Sequence, residues 1–269
     1  VDAIVHVVRC FEDGEITHVE GRIDPVADAE VVETELLLAD LESAERQFAS
    51  VEKKAKGGDK ESVARMAILR RVLDALSEGR PARTLKVEPD EQKLFDQLGL
   101  LTSKPVLYVS NVDEGSAAAG NDISARVDQM AAEKGAANVV ISAAIEAEVA
   151  QLTDPAEQAE FLADLGLEET GLARIIRAGY QLLDLITYFT AGPKEVRAWT
   201  IPKGTKAPGA AGVIHSDFER GFIRAETIAY DDFIACKGES GARDSGKLRS
   251  EGKEYEVRDG DLLHFLFNT

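Results

Sequence analysis

Two short polar motifs in this sequence have the residue types for ligand chemistry. Asn111-Val112-Asp113-Glu114 and Ser142-Ala143-Ala144 each close a run of apolar, strand-forming residues, 105–110 and 137–142. The chemistry they suit is recognition of a purine. An Asn amide offers both a donor and an acceptor to a base edge. The backbone and side chain of Val112 can line a ring, and the Ser-Ala-Ala turn presents backbone N–H groups with little side-chain bulk. Asn and Asp also make plain strand-ending turns, and either motif alone fits that reading better. Both together, in this order and at this spacing, favour a binding site, because open α/β sheets bind ligands beyond the carboxyl ends of their strands.

The elements that must hold these motifs follow from the hydrophobic pattern. Residues 1–11 are nearly continuous apolar sequence rich in Val and Ile, which predicts a strand buried on both faces of a parallel sheet. Such a strand needs neighbours on either side, so further chain is expected before Val1. Strand 105–110, a helix over about 123–134 and strand 137–142 form a β-α-β unit with parallel pairing and a right-handed crossover. Helical segments over 144–185 bring Ile175, Ile176, Leu182 and Leu183 onto the sheet.

A helical insertion separates the first two strands. Asp24-Pro25 has the form of an N-cap followed by Pro at the first helical position. Leu37, Leu41, Ala44, Phe48, Val51 and Ala55 then repeat at coiled-coil spacing. Gly57-Gly58 ends that helix and Asp59 caps a second, with Met66, Leu69, Leu73 and Leu76 as its seam. The pair should form an antiparallel hairpin. Beyond about residue 186 the pattern changes again. Segments 186–191 and 196–201 alternate around Gly192-Pro193, a short helix spans about 211–220, and a strand covers 222–228. A last hairpin is expected from 255–257 and 262–267 about Asp259-Gly260-Asp261. A mixed sheet of this kind holding one helix is a β-grasp pattern.

Composition narrows the function classes. The net charge of −18 repels bulk nucleic acid. One stretch, 46–93, runs the other way, with 12 Lys and Arg against 8 Asp and Glu, as a solvated helical face or a contact surface for an acidic partner such as RNA. No apolar run approaches 18 residues, so no membrane span is expected, and residues 1–11 lack the basic flank and cleavage site of a signal peptide. Cys10 and Cys236 are too few for a disulfide scaffold and fit a reducing, cytoplasmic setting. The scattered histidines give no metal-ligand spacing.

The two motifs resemble the fourth and fifth G-motifs of P-loop GTPases, which usually read Asn-Lys-x-Asp and Ser-Ala. With Asn-Val-Asp-Glu in the first, a helical hairpin before it and a TGS-type β-grasp domain after it, the chain resembles the Obg-like ATPase, or YchF, family. The likeness spans the whole sequence and is most specific over 2–11, 34–40, 54–60, 191–200, 213–225 and 251–267. It implies a partial P-loop NTPase sheet over 1–23 and 101–185, a coiled-coil insertion over 24–100 and a TGS domain over 186–269. It further implies an adenine-preferring NTPase, using ATP or GTP with Mg²⁺, that associates with ribosomes. Asn111, Val112, Glu114, Ser142, Ala143 and Ala144 then form the nucleotide-binding set. Glu114 stands where GTPases carry the Asp that pairs with guanine. Adenine offers an acceptor at N1, which a carboxylate does not favour, so Glu114 is expected to turn from the base. In this family the phosphate-binding loop lies before the strand that opens this chain, so the chain alone is expected to be inactive.

Two segments imitate the missing parts. Gly241-Ala242-Arg243-Asp244-Ser245-Gly246-Lys247 matches seven positions of a P-loop, but Leu248 has no hydroxyl for Mg²⁺ and no buried strand precedes it. Asp96-Gln97-Leu98-Gly99 imitates a switch motif but lies too near Asn111. An alternative function is a ribosome-, RNA- or protein-binding module. It would act through Lys53, Lys54 and Lys56 on the hairpin and Lys194, Arg197, Lys203 and Lys206 on the TGS domain. His215 is expected to pack or cap a helix, and Trp199 to be half-buried in a strand.

Overall fold

Apolar periodicity switching between about two and about 3.6 residues produces alternating strands and helices, in two units divided after Leu182. The computed structural model describes residues 1–12, 23–192 and 195–268. Most of the loop before Ile23, with Pro193 and Lys194 of the first C-terminal hairpin, lies outside the described residues.

In the first unit β1 (Ile4–Arg9) precedes α1 (Pro25–Lys56), α2 (Lys60–Ser77) and α3 (Gln92–Asp96). Then come β2 (Val106–Asn111), α4 (Asp122–Glu133), β3 (Ala137–Ile141), α5 (Ala143–Val149), α6 (Pro155–Asp164) and α7 (Gly171–Leu182). The strands form a parallel sheet in the order β1-β2-β3. β2 is buried from Val106 through Ser110, with α1 and α4 over one face and α7 over the other. The expectation for residues 1–11 is corrected here. β1 is an edge strand whose Val8 is buried but whose Val5 and Val7 are 52% and 60% exposed. The reason is that α7 covers β2 and β3, leaving that face of β1 open.

The helical pair forms as its spacing predicts. Asp24 accepts from the Ala27 N–H at 3.4 Å, and Pro25 occupies a position whose N–H would have no helical partner. Leu37, Leu41, Ala44, Phe48 and Val51 pack against α2. Gly58 takes φ +85° to reverse the chain, and Asp59 accepts from the Ser62 N–H at 3.0 Å. The seam of α2 keeps Leu69 and Leu76 and is wider than expected: Ile68, Val72 and Ala75 are buried with them, Leu73 packs half-buried against the same core, and Met66 is half-buried. Ala82, Phe95, Leu98 and Leu100 of the following segment join the same core, so α2 buries a wider, rotated arc.

Two polar contacts tie α1 to its surroundings. Glu33 accepts from the buried Tyr108 hydroxyl and from Lys134 Nζ at 2.7 Å, which outweigh burial and hold its pKa below the ordinary value. Asp40, 2% exposed, accepts from Leu101 N at 2.8 Å, Thr102 N at 2.7 Å and Thr102 Oγ1 at 2.6 Å.

The second unit contains β4 (Leu185–Ala191), β5 (Val196–Pro202), α8 (Ala207–Ile214), α9 (Ser216–Arg220) and β6 (Phe222–Ala229). It continues through α10 (Tyr230–Ala235), α11 (Glu239–Asp244), β7 (Arg249–Glu251) and β8 (Asp261–Phe267). The sheet order is β5-β4-β8-β6-β7, with β4 and β8 parallel and the other pairs antiparallel. Ala207, Ala210 and Ala211 let α8 lie close over Tyr188, Ile201 and Phe265, and the buried Tyr188 hydroxyl donates to the Ala210 carbonyl at 2.8 Å. Two expectations need correction. The single helix over 211–220 is two helices, broken at His215, whose Nδ1 accepts from the Asp217 N–H at 3.1 Å and caps the second. Residues 255–257 form no strand, only a bridge from Glu256 to Lys206, and the short strand is β7 instead. Buried Asp261 accepts from Tyr255 Oη at 2.7 Å and Arg258 N at 2.9 Å, which folds that segment over the start of β8.

Replacing Asp40 by Ala strands two backbone donors and a buried hydroxyl. The expected loss is about 3 kcal/mol, at about 1–3 kcal/mol per unsatisfied buried group, read as a lower urea midpoint. An unchanged midpoint would show that water replaces the carboxylate there.

Candidate functional site

The pairing of Asn111 with Ile141 puts the carboxyl ends of β2 and β3 at one level, so the two motifs begin side by side. The ladder continues one step further, with Val112 N–H donating to the Ile141 carbonyl at 2.8 Å, and the Cys10 N–H reaches the Asn111 carbonyl at 2.7 Å. Beyond this point a side chain takes over. The Ala143 N–H donates to Asn111 Oδ1 at 2.9 Å. That donor fixes the amide orientation, because only the oxygen can face an N–H. Asn111 Nδ2 is left turned outward as a donor.

The other motif residues divide by environment. The Val112 side chain is 2% exposed and packs with Val8, Tyr108 and Val127, so it cannot line a ring as expected; its carbonyl is what it can offer. Asp113 is spent on local structure, accepting from Ser116 N and Oγ, both at 3.0 Å, to cap the 3-10 turn Glu114–Ser116. Glu114 opens that turn, exposed, and its side chain has no hydrogen-bond partner among the described residues. Ser142 is 2% exposed and its Oγ has no hydrogen-bond partner. Buried hydroxyls are nearly always satisfied, so this one asks for a further acceptor or donor at the site. Ala143 and Ala144 are exposed at the first turn of α5, where the leading N–H groups have no partner within the helix.

Several supporting residues were not singled out from sequence. Asn121 caps α4 in a reciprocal box with Ser124 and donates from Nδ2 to the Cys10 carbonyl at 2.7 Å. The Asn-x-x-Ser spacing is a signal that could have found the cap, though not the link to β1. Gly120 has φ +76°, and a Cβ there would lie 2.7 Å from Ser124 Oγ. Glu146 accepts from the N–H groups of Gly171 at 2.6 Å and Leu172 at 3.0 Å, fastening α5 to α7. No local pattern announces a contact spanning 25 residues.

The remaining candidates lie elsewhere. Gly241 to Asp244 belong to α11, Lys247 pairs with Asp232 at 3.1 Å and Leu248 joins the core, so that segment is no phosphate loop. Asp96 ends α3 and accepts from Gln92 at 2.8 Å. Lys53, Lys54 and Lys56 are exposed near the hairpin tip, with Lys56 held by Glu52 at 2.8 Å. In the second unit Arg197 stacks 4.1 Å from the centre of the half-buried Trp199 ring, whose Nε1 donates to Thr190 at 2.9 Å. Lys203 is exposed and Lys206 pairs with Glu254. Among the described residues no three His, Cys, Asp or Glu side chains gather in a way that could hold a metal ion, and no helix is long and apolar enough to cross a membrane.

A parallel sheet ending in these two linked turns, with a helical pair inserted after its first strand, defines a protein of the open α/β class, whose members bind ligands beyond the carboxyl ends of their strands. Comparison with known proteins narrows the class. The chain is 54% identical over 268 residues to a protein of Haemophilus ducreyi named ribosome-binding ATPase YchF, covering all of this chain and 73% of that protein. It is 52% identical over 271 residues to the protein of the same name from Bacillus subtilis, covering 100% of this chain and 74% of that one. Among solved structures, the Schizosaccharomyces pombe YchF GTPase superposes with a TM-score of 0.85 at 37% identity, over 99% of this chain and 72% of that chain. Residues 185–268 match the YchF-GTPase_C family, described as a protein of unknown function (DUF933). The chain belongs to the YchF family.

Gly120→Ala should force both a left-handed backbone and a clash onto the loop between the motifs. The expected cost is about 1–2 kcal/mol, since Gly is the residue that tolerates such φ values. Thermal melts of the variant check it, and an unchanged melting temperature would mean the loop relaxes freely.

Proposed function

We propose that this chain carries the base-recognition end of a nucleotide site in a protein that binds and hydrolyses ATP, with GTP as the alternative nucleotide, and that associates with ribosomes. The observation that carries this reading is the bond from the Ala143 N–H to Asn111 Oδ1. It leaves Asn111 Nδ2 as a donor beyond the sheet, which suits the ring-nitrogen acceptor on a purine's major-groove edge. Adenine and guanine both have that acceptor, so Asn111 selects purines rather than one purine. Discrimination falls to the exocyclic position beside that nitrogen on the same edge, where the Val112 carbonyl can accept from adenine's amine but not from guanine's carbonyl oxygen. Glu114 stays turned to solvent, because a carboxylate there would face the N1 acceptor of adenine. Ser142 Oγ and the first-turn N–H groups of Ala143 and Ala144 complete the set.

Phosphoryl transfer needs a Gly-rich loop with Lys, a hydroxyl on Mg²⁺ and a water-positioning group. On this reading those parts, and the Mg²⁺ that accompanies ATP, belong to chain outside these 269 residues, so this chain alone does not turn over. The names of its relatives, which call them ribosome-binding ATPases, support the assignment of both activities. Calorimetric titration with ATP tests the division of labour: the chain alone should bind weakly and release no phosphate, and micromolar affinity or turnover would overturn the reading. In a protein that also carries the phosphate-binding residues, Asn111→Ala should weaken ATP binding about tenfold, or about 1.4 kcal/mol.

A second function rests on a separate observation. Lys53 and Lys54 are exposed near the hairpin tip and form no salt bridge among the described residues, while the chain as a whole is strongly acidic. We read the hairpin as a ribosome contact, with the second unit acting beside it as a TGS-type β-grasp domain. The sheet order β5-β4-β8-β6-β7, the parallel β4-β8 pair and α8 across one face support that domain assignment. Reversing Lys53, Lys54 and Lys56 to Glu should lower ribosome co-sedimentation and flatten its dependence on salt, because fewer phosphate contacts release fewer counterions. Unchanged co-sedimentation would return those lysines to solvation and helix-end electrostatics.

A further inference from the structure

We propose that the free edge of β3 and the groove beside it form a docking site for an extended peptide segment bearing an acidic side chain. Among the described residues β3 pairs only with β2. The Ile141 carbonyl faces β2, accepting from Val112 N, so by strand alternation the N–H and C=O groups of Asn138 and Val140 face the open side. The strand itself, Ala-Asn-Val-Val-Ile, holds no Lys, no acid and no Pro, the usual guards of a sheet edge.

The shallow, open groove along this edge is lined by Ala118, Ala119, Asn138, Val140, Arg174 and Ala178 among others. Three alanines make its walls low, so a second backbone can approach the edge. Its charge is specific. Arg177 is engaged by both carboxylate oxygens of Glu169. Arg174, one turn earlier on α7, has a buried Nε with no hydrogen-bond partner, and its side chain has none among the described residues. Arg174 is half-buried overall, and a buried N–H such as its Nε is unfavourable without an acceptor. A carboxylate on an incoming strand would supply the acceptor while the strand's backbone completes the ladder, which is binding by strand addition. The open edge favours a peptide over nucleic acid, since phosphodiester chains carry no N–H groups to pair there, and the net charge of −18 opposes a polyanion.

The test uses the full chain and a fluorescein-labelled, N-acetylated peptide, Thr-Val-Glu-Val-Thr-Val, read by fluorescence anisotropy. Saturable binding is expected. It should weaken at least about tenfold in Arg174→Gln, a loss of about 1.4 kcal/mol. On the unaltered chain it should weaken similarly when the peptide's Glu is replaced by Lys, and vanish when alternate residues are replaced by Pro to remove backbone donors. The peptide substitutions keep the test decisive if Arg174→Gln fails to fold. Absence of saturable binding, equal binding by the Pro peptide, or displacement by a short oligouridine at equal concentration would overturn the proposal. ATP affinity plays no part in the readout, so a failure here is distinguishable from a failure of the nucleotide reading.

Discussion

An Asn side chain accepts a hydrogen bond from the backbone two residues beyond the neighbouring strand, and the geometry at the carboxyl end of the sheet follows from it. Parallel pairing brings Asn111 level with Ile141. A ladder alone would stop there, because the chains diverge into a 3-10 turn and a helix. The Asn111–Ala143 bond extends the coupling past the last backbone rung, so the turn after β2 and the start of α5 move as one piece. It also settles which end of the amide faces outward. Asn121 and Glu146 then brace the assembly from behind, one through β1 and the other through α7.

Much of this was legible in the sequence. The three strands of the parallel sheet, the two caps at Asp24 and Asp59 and the Gly-Gly reversal each rest on local chemistry, and local chemistry is written in adjacent residues. The Asn111 and Ser142 motifs stand out only as a pair, in this order and at this spacing, because either alone fits a plain strand-ending turn. Failures came where neighbours decide. The open face of β1 depends on how far α7 reaches, and the rotated seam of α2 depends on Phe95 and Leu98 packing from another segment. Val112 looked available to a ligand because valines line rings as readily as they fill cores, and only the positions of Val8 and Val127 settle which. In the second unit α10 and α11, six residues each, are too short to set up a period.

The two ends of the first unit are stabilised by different means. Around β2 the interior is mostly aliphatic, with Leu107, Tyr108 and Val109 wholly buried between helices. Burying such a side chain contributes about 1.5–3 kcal/mol, and none of it depends on direction. The helical insertion has an apolar core of its own and adds two directional anchors, Glu33 to Tyr108 and Lys134, and Asp40 to the 101–102 turn. These hold the inserted helices at one angle to the sheet, which a greasy contact alone would leave free to rock.

That arrangement has a mechanical side. From the Asp40 anchor to the Gly57-Gly58 reversal, α1 runs 17 residues, about 26 Å at 1.5 Å per residue. Two helices packed along that length behave as a stiff arm pivoting near its root. A tilt of about 5° at the pivot carries the lysine-bearing tip through about 2 Å by simple proportion over that helix length. The arm therefore magnifies displacements too small to disturb the packing at its base, and it converts a shift beside the sheet into a stroke at a distance.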